Sequence, residues 1–229
     1  MSNYNVYVGK QFNFFKSLSS NELALIEKTT SFLKIVKGDI VFLENELLQK
    51  LYCIKEGACK FSLIDDSGKE HITKLLGKGD LMGRRSIITN KGALVTATAI
   101  KDTTLCLLDK TPIIKSLREN NAFCQDILKG FIGDMEDETE KIAYFQNHAT
   151  VKVRLAGLLM YLNDKFGTEK EGWINVSLKR RDIAGILGTT SEYIISLLAS
   201  FKGKNLLSLK RDKIKIISEK ELRKFIKTC

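Results

Sequence analysis

The sequence predicts an α+β fold in three parts: an N-terminal β-sandwich or barrel, a long connecting helix, and a C-terminal pair of crossed helices followed by a basic β-hairpin. Three observations carry that prediction. Residues 32–108 break short β-branched and aromatic runs with glycine-bearing turns, the spacing of a sandwich or barrel. Residues 124–145 repeat seam positions at alternating steps of four and three, which is a heptad pattern. Residues 180–197 set small and apolar side chains, Ala184, Gly188, Ile194 and Leu197, where two helices joined by a glycine turn must touch. The predicted parts are 1–119, 120–147 and 148–229.

Ser19 and Glu22 have the spacing of a capping box, in which hydroxyl and carboxylate satisfy each other's orphan backbone donors, so a short helix through Lys28 follows. Strands are expected over 40–43, 51–54, 60–64, 72–76, 95–100 and 104–108. The turns between them, at 37–39, 56–57, 65–68 and 78–80, hold Gly and Asp, which tolerate the backbone angles of a tight reversal. Thr111 followed by Pro112, the only proline, predicts a helix start with the hydroxyl as cap.

After Asn120 and Asn121 comes the long helix, whose seam runs Cys124, Leu128, Phe131, Met135, Glu138, Ile142 and Phe145. A strict seam of this length favours a parallel partner helix and hence a homodimer joined by Leu128, Phe131, Met135, Ile142 and Phe145; burial against the chain's own sheet is the alternative. Glu138 is costly in an apolar contact and marks a solvated or ligand-facing layer. Residues 146–150 read as a hinge, and Thr150 caps the next helix. A short strand is expected at 173–176, and Ser177 is expected to cap the first helix of the crossed pair. Gly188 ends that helix and Thr190 caps the second. Residues 206–209 and 214–217 form a hairpin with Lys210, Arg211, Asp212 and Lys213 at its tip, a wing, and Ser218 with Glu221 opens a final helix.

Residues 151–229 hold 17 Lys and Arg against 8 Asp and Glu, so nearly all of the formal net charge of +10 sits there. A concentrated positive field displaces the condensed counterions of a polyanion, and its coincidence with the crossed helices points to nucleic acid as the partner. No stretch of 18 apolar residues and no signal-peptide pattern at residues 1–10 is present, so a cytoplasmic protein with no membrane partner is expected.

The five cysteines, Cys53, Cys59, Cys106, Cys124 and Cys229, are odd in number and scattered, which does not suggest a disulfide framework; no cofactor is predicted. Cys53 and Cys59 flank a turn between adjacent strands and can lie near each other, but two ligands are too few for structural zinc. His71 and His148 each stand alone, so no metal site is expected.

This order of parts resembles the cyclic-AMP receptor protein and FNR superfamily of bacterial transcription regulators, over almost the whole chain. Its most specific segment is 180–197 with the wing, and Gly79-Asp80-Leu81-Met82-Gly83 is similar to the family's turn into its nucleotide-binding helix. The resemblance implies that the N-terminal part is a double-stranded β-helix, a jelly-roll of the cyclic-nucleotide-binding kind, here called the β-roll, and that the C-terminal part is a winged helix-turn-helix whose second helix enters the major groove of double-stranded DNA at a pseudo-palindromic operator. Thr190, Ser191, Glu192, Tyr193 and Ser196 then lie near base edges, while Lys179, Arg180, Arg181, Lys202, Lys210, Arg211 and Lys213 anchor the phosphate backbone. RNA polymerase is a further partner if the protein activates, and activator and repressor both remain open.

The same resemblance places an effector near Gly83, Arg84, Arg85, Ser86, Thr96 and Glu138. Members that sense cyclic nucleotides follow the glycine with a glutamate and later present an arginine to the cyclic phosphate. Here Arg84 follows Gly83, and Leu94 or Val95 stands where that arginine is expected, so cyclic AMP is not the expected effector. The N-terminal cysteines of FNR-type oxygen sensors are also lacking, with none before Cys53.

Two readings from other classes stand beside this one. A cupin-like β-roll enzyme needs a cluster of inward-facing metal ligands, which two isolated histidines do not supply, so no enzyme is expected. A signalling module that binds a protein partner through its basic face predicts no dependence on DNA sequence.

Overall fold

The computed structural model describes residues 15–147 and 150–227, without the side chains of 134, 136–147 and 227. Backbone contacts divide the chain into two units, 1–61 with 75–138, and 62–74 with 139–229.

The β-roll consists of two four-stranded sheets. β1 (Ser31–Ile35), β8 (Thr103–Asp109), β3 (Lys50–Glu56) and β6 (Leu81–Met82) form one, in the order β1-β8-β3-β6, with antiparallel pairing throughout. β2 (Ile40–Phe42), β7 (Thr96–Ala99), β4 (Cys59–Ile64) and β5 (Glu70–Leu76) form the other, in the order β2-β7-β4-β5. Alternate residues of a strand point to opposite faces, and here both faces of the β8-β3 pair are covered. Leu51, Cys53, Cys106 and Leu108 join Phe15, Ile26, Ile113, Phe123 and Ile127, most of them contributed by helices. Ile54 and Leu105 instead join Phe42, Cys59, Leu76 and Ala97 of the second sheet.

Three helices belong with this sandwich. In α1 (Ser20–Lys28) the predicted capping box is present: the Ser19 hydroxyl accepts from the Glu22 N–H at 3.4 Å, and the Ser19 N–H donates to the Glu22 carboxylate at 2.8 Å. α2 (Arg84–Thr89) follows Gly83, whose φ of +87° suits glycine. α3 (Lys110–Glu119) begins one residue before the expected Thr111, with Asp109 at the N-cap and no side-chain cap. Pro112 still lies in the first turn, where its missing N–H costs nothing. β1, β6 and α2 are not among the predicted elements; each is too short, or too exposed, to show a period.

The long helix α4 spans Asn121–Asn147. The Asn120 side-chain oxygen accepts from the Phe123 N–H at 3.0 Å, capping its first turn.

In the second unit, α5 (Val151–Phe166) is capped by Thr150, as expected, and is the core helix: Leu155, Ala156, Leu158, Leu159 and Leu162 are all buried. α6 (Arg180–Leu187), α7 (Ser191–Gly203), the hairpin β9 (Leu207–Lys210) and β10 (Lys213–Ile216), and α8 (Glu219–Lys227) complete the unit, with α8 and α6 packed on α5 and α7 packed on α6 and β9. The strand expected at 173–176 is reduced to isolated bridges, Thr168 to Ile174 and Trp173 to Lys215. Ser177 is not the cap of α6; that place belongs to Lys179, whose N–H donates to the Asp182 carboxylate at 3.2 Å. The β4–β5 turn is held by Asp65, whose carboxylate accepts from the Ser67 hydroxyl at 2.6 Å and the Lys69 N–H at 3.0 Å, and lies 2.5 Å from His71 Nε2.

Among the described residues, no single helix is long and apolar enough to cross a membrane, and no group of three or more His, Cys, Asp or Glu side chains is arranged to hold a metal ion.

Candidate nucleic-acid interface

α6 and α7 meet at 102°, the crossing a helix-turn-helix requires. The turn is built locally. Gly188 takes the left-handed conformation at φ +60°, and its N–H and that of Thr189 both donate to the Ala184 carbonyl. The Thr190 hydroxyl then accepts from the Tyr193 N–H at 3.3 Å, so α7 starts at a fixed residue. One face of α7, formed by Ile194, Leu197, Leu198 and Phe201, is buried, and this sets the opposite face outward.

Glu192, Tyr193 and Ser196 lie exposed on that outer face, with Ser191 half-buried and Thr190 exposed at its start. Their chemistry suits base edges: a carboxylate accepts from the cytosine amine, and hydroxyls donate or accept. Ile195, 53% exposed beside Glu192 and Ser196, went unnoticed in the sequence because an isoleucine next to an apolar stripe reads as core. The signal was its phase, one residue off the buried 194, 197, 198 and 201 series. An apolar side chain there has the chemistry to contact a thymine methyl group.

The cations divide into two sets. Lys179, Arg181, Lys202, Lys210 and Arg211 are exposed around α6, α7 and the wing, as is Lys204. Arg180 and Lys213 are engaged within the protein. The Arg180 guanidinium donates to the Arg211 carbonyl at 2.7 Å, and burial pushes its pKa below the ordinary value, with the Asp212 carboxylate acting against that shift. Lys213 Nζ pairs with Glu169 Oε2 at 2.6 Å.

The residues expected at an effector are placed as follows. Gly83 leads into α2, and the Arg84 guanidinium lies 4.7 Å over the Phe131 ring of α4. Arg85 Nη1 donates to the Gly92 carbonyl at 2.8 Å. Ser86 is buried and its hydroxyl accepts from the Leu48 N–H at 3.1 Å, while the Thr96 hydroxyl accepts from the Glu44 N–H at 3.1 Å. Arg85, Ser86 and Thr96 therefore tie down neighbouring backbone. The side chain of Glu138 lies outside the described residues. Cys53 stands opposite Cys106 across β3 and β8, both in one core cluster, whereas Cys59 belongs to the other. Burial pushes the Cys59 thiol up to about 12, Cys106 up to about 11 and Cys53 well above its ordinary value, which keeps all three protonated and weakly nucleophilic.

Along α4, Phe131 packs against the β-roll core with Phe123 and Ile127. Leu128 and Met135 point away from it, 55% and 66% exposed, together with Ile132. The side chains of Ile142 and Phe145 lie outside the described residues.

A β-roll and a winged helix-turn-helix on one chain define a class: regulators in which a sensing domain is joined to a DNA reader. The sequence matches the cyclic nucleotide-binding domain over residues 32–120 and the Crp-like helix-turn-helix domain over residues 153–225. It is 23% identical over 209 residues to a CRP-like cAMP-activated global transcriptional regulator of Mycobacterium tuberculosis, covering 90% of this chain and 92% of that one. To the fumarate and nitrate reduction regulatory protein of Vibrio cholerae it is 26% identical over 211 residues, covering 90% and 83%. Its fold matches that of FixK2 from Bradyrhizobium japonicum with a TM-score of 0.76 at 17% identity, over 87% of this chain and 98% of that one. The chain belongs to the Crp/Fnr family of transcription regulators.

Proposed function

We propose that the protein acts in the cytoplasm as a homodimer that reads a pseudo-palindromic operator, each subunit laying α7 in a major groove, and that it regulates transcription without catalysing a reaction. The observation that carries this reading is the outward face of α7, where Glu192, Tyr193, Ile195 and Ser196 stand exposed on a capped helix flanked by Lys179, Arg181 and Lys202. Thr190 and Ser191 complete the base-reading set, and Lys179, Arg181, Lys202, Lys210 and Arg211 hold the phosphates. Arg180 serves as a strut to the wing, and RNA polymerase is the partner where the protein activates.

The effector meets the β-roll near Gly83, Arg84, Arg85, Ser86, Thr96 and Glu138. It is not cyclic AMP, because Leu94, 59% exposed, occupies the neighbourhood where a cyclic phosphate needs a guanidinium. Occupancy biases a two-state equilibrium in the DNA-reading domains. Selection of bound sequences from a random duplex pool, followed by salt titration of the best site, tests the reading. An inverted repeat is the expected product, and uniform, steeply salt-sensitive retention of all sequences overturns it.

A further inference from the structure

The wing does not carry its charge alone. β9 and β10 are joined by a two-residue turn, Arg211 and Asp212, with Arg211 at φ +54°. Beside this hairpin the chain between α5 and α6 folds into a second tight turn, in which the Glu169 N–H donates to the Trp173 carbonyl at 2.7 Å and the Gly172 N–H to the Glu169 carbonyl at 3.0 Å. That turn is locked onto the wing: Trp173 bridges to Lys215, and the Ile174 N–H donates to the Ile214 carbonyl at 2.9 Å. Trp173 Nε1 donates to Glu171 Oε2 at 3.1 Å, which fixes the turn from within. The backbone of Glu169 is therefore rigidly held relative to β10. Its carboxylate meets Lys213 at 2.6 Å, 44 residues further along the chain.

We propose that Glu169 is a built-in competitor for DNA phosphate, holding Lys213 in an intramolecular ion pair and so lowering the affinity of the wing for every duplex while leaving base preference alone. The proposal rests on the DNA-reading function above. The chemistry is a direct exchange, since an ammonium serves a carboxylate oxygen and a phosphate oxygen in the same way. The pair is half exposed, at 44% and 35%, so it is a weak and displaceable hold rather than a permanent one. A lysine already neutralised by a carboxylate gains little from a phosphate, and its contribution to counterion release is cancelled. Among the described residues the exposed Lys210 and Arg211 have no carboxylate paired with them, so the wing engages with a graded set of cations.

The test uses the full-length protein and a fluorescently labelled duplex of mixed sequence, with affinity read by anisotropy between 50 and 200 mM salt. Glu169→Gln keeps the shape and removes the charge. It should bind the duplex more tightly at low salt, and log K against log[salt] should steepen by about 0.9 for each wing engaged. The advantage over the native protein should then shrink by roughly 3.5-fold per wing across that salt range. Lys213→Gln should cost more affinity in the Glu169→Gln background than in the native one.

An unchanged or lower affinity with an unchanged slope overturns the proposal, as does an equal cost of Lys213→Gln in both backgrounds, since either result makes Glu169 a prop and nothing more. Trp173, the only tryptophan, sits on this turn, so its fluorescence reports whether each variant keeps the wing folded. Should Glu169→Gln lose that signal, Glu169→Ala, which also removes the charge, supplies the same comparison. A native protein that retains no duplex at any salt removes the DNA-reading function itself; a native protein that binds while its Glu169 variants match it in slope removes only the competitor.

Discussion

At the scale of single residues, the outward face of α7 separates reading from holding. Glu192 is exposed, and among the side chains of that face it is the carboxylate, so it alone there can accept from the cytosine amine as an anion. Glu192→Ala should relax preference at one base pair in each half-site by about 1 to 3 kcal/mol and leave affinity for other positions intact; a selection profile unchanged at every position removes Glu192 from the readout. A second residue-scale prediction concerns a turn of the β-roll. Gly57 holds φ +102°, and a Cβ there would lie 2.4 Å from the Thr103 hydroxyl and 2.6 Å from the Asp102 carbonyl. Gly38 holds a similar φ of +103° with nothing within 4 Å. Gly57→Ala adds overlap to strain and should cost about 2 to 5 kcal/mol in urea unfolding, whereas Gly38→Ala pays only strain, about 1 kcal/mol. Equal costs at the two positions contradict the clash.

At the scale of elements, what was legible in the sequence was what the chain decides locally. The Ser19 and Glu22 box, the Thr150 and Thr190 caps and the Gly188 turn each involve groups a few residues apart, and all are found as read. Contacts between distant residues were not legible. Arg180 counts as a phosphate anchor by composition, but its link to the Arg211 carbonyl spans 31 residues, and no local pattern announces it. Cys53 and Cys59 flank a turn and can lie near each other by spacing, yet sheet order puts their strands in different sheets and sets Cys53 opposite Cys106. The seam along α4 was read as one stripe, although Phe131 belongs to the chain's own core and Leu128 and Met135 do not, a difference that a period of 3.5 against 3.6 leaves unresolved over three turns. The β4–β5 turn supplies a prediction of its own. The Ser67 hydroxyl, then His71 and the Lys69 N–H, hold the Asp65 carboxyl far below the usual carboxylate range. A carboxyl depressed on folding stabilises the fold above its ordinary pKa of about 3.9, and that contribution is lost as pH falls toward the folded value. A carbon-detected NMR titration of Asp65 should therefore show a midpoint well below that of an unstructured aspartate, and Ser67→Ala should move it upward. A midpoint at the ordinary value denies the turn its anchor.

For the whole molecule, the proposed homodimer raises the question of what brings two DNA readers into register. Residues 151–229 carry the excess of positive charge, and one copy of α7 would span only one half-site of the proposed operator. The long helix offers a means of pairing. Leu128, Ile132 and Met135 follow one another at steps of four and three on the exposed side of α4, while Phe123, Ile127 and Phe131 face the β-roll. An apolar row left in water is unfavourable, and burying it against the same row of a second copy removes that cost in a coiled-coil contact. Because these side chains lie outside the chain's own core, the interface can be broken without unfolding the subunit. Leu128→Glu with Met135→Glu places like charges face to face across the pair. The doubly substituted protein should sediment as a monomer, keep the thermal transition of its β-roll, and bind an isolated half-site far more weakly than the native protein binds the full operator. Phe131→Ala is the counterpart, since it removes packing from the subunit core and the ring beneath Arg84, and should lower stability by about 3 kcal/mol at most. A double variant that remains dimeric in analytical ultracentrifugation assigns the pairing to another surface. A monomer that has also lost its β-roll transition shows that the exposed row supports the subunit's own fold.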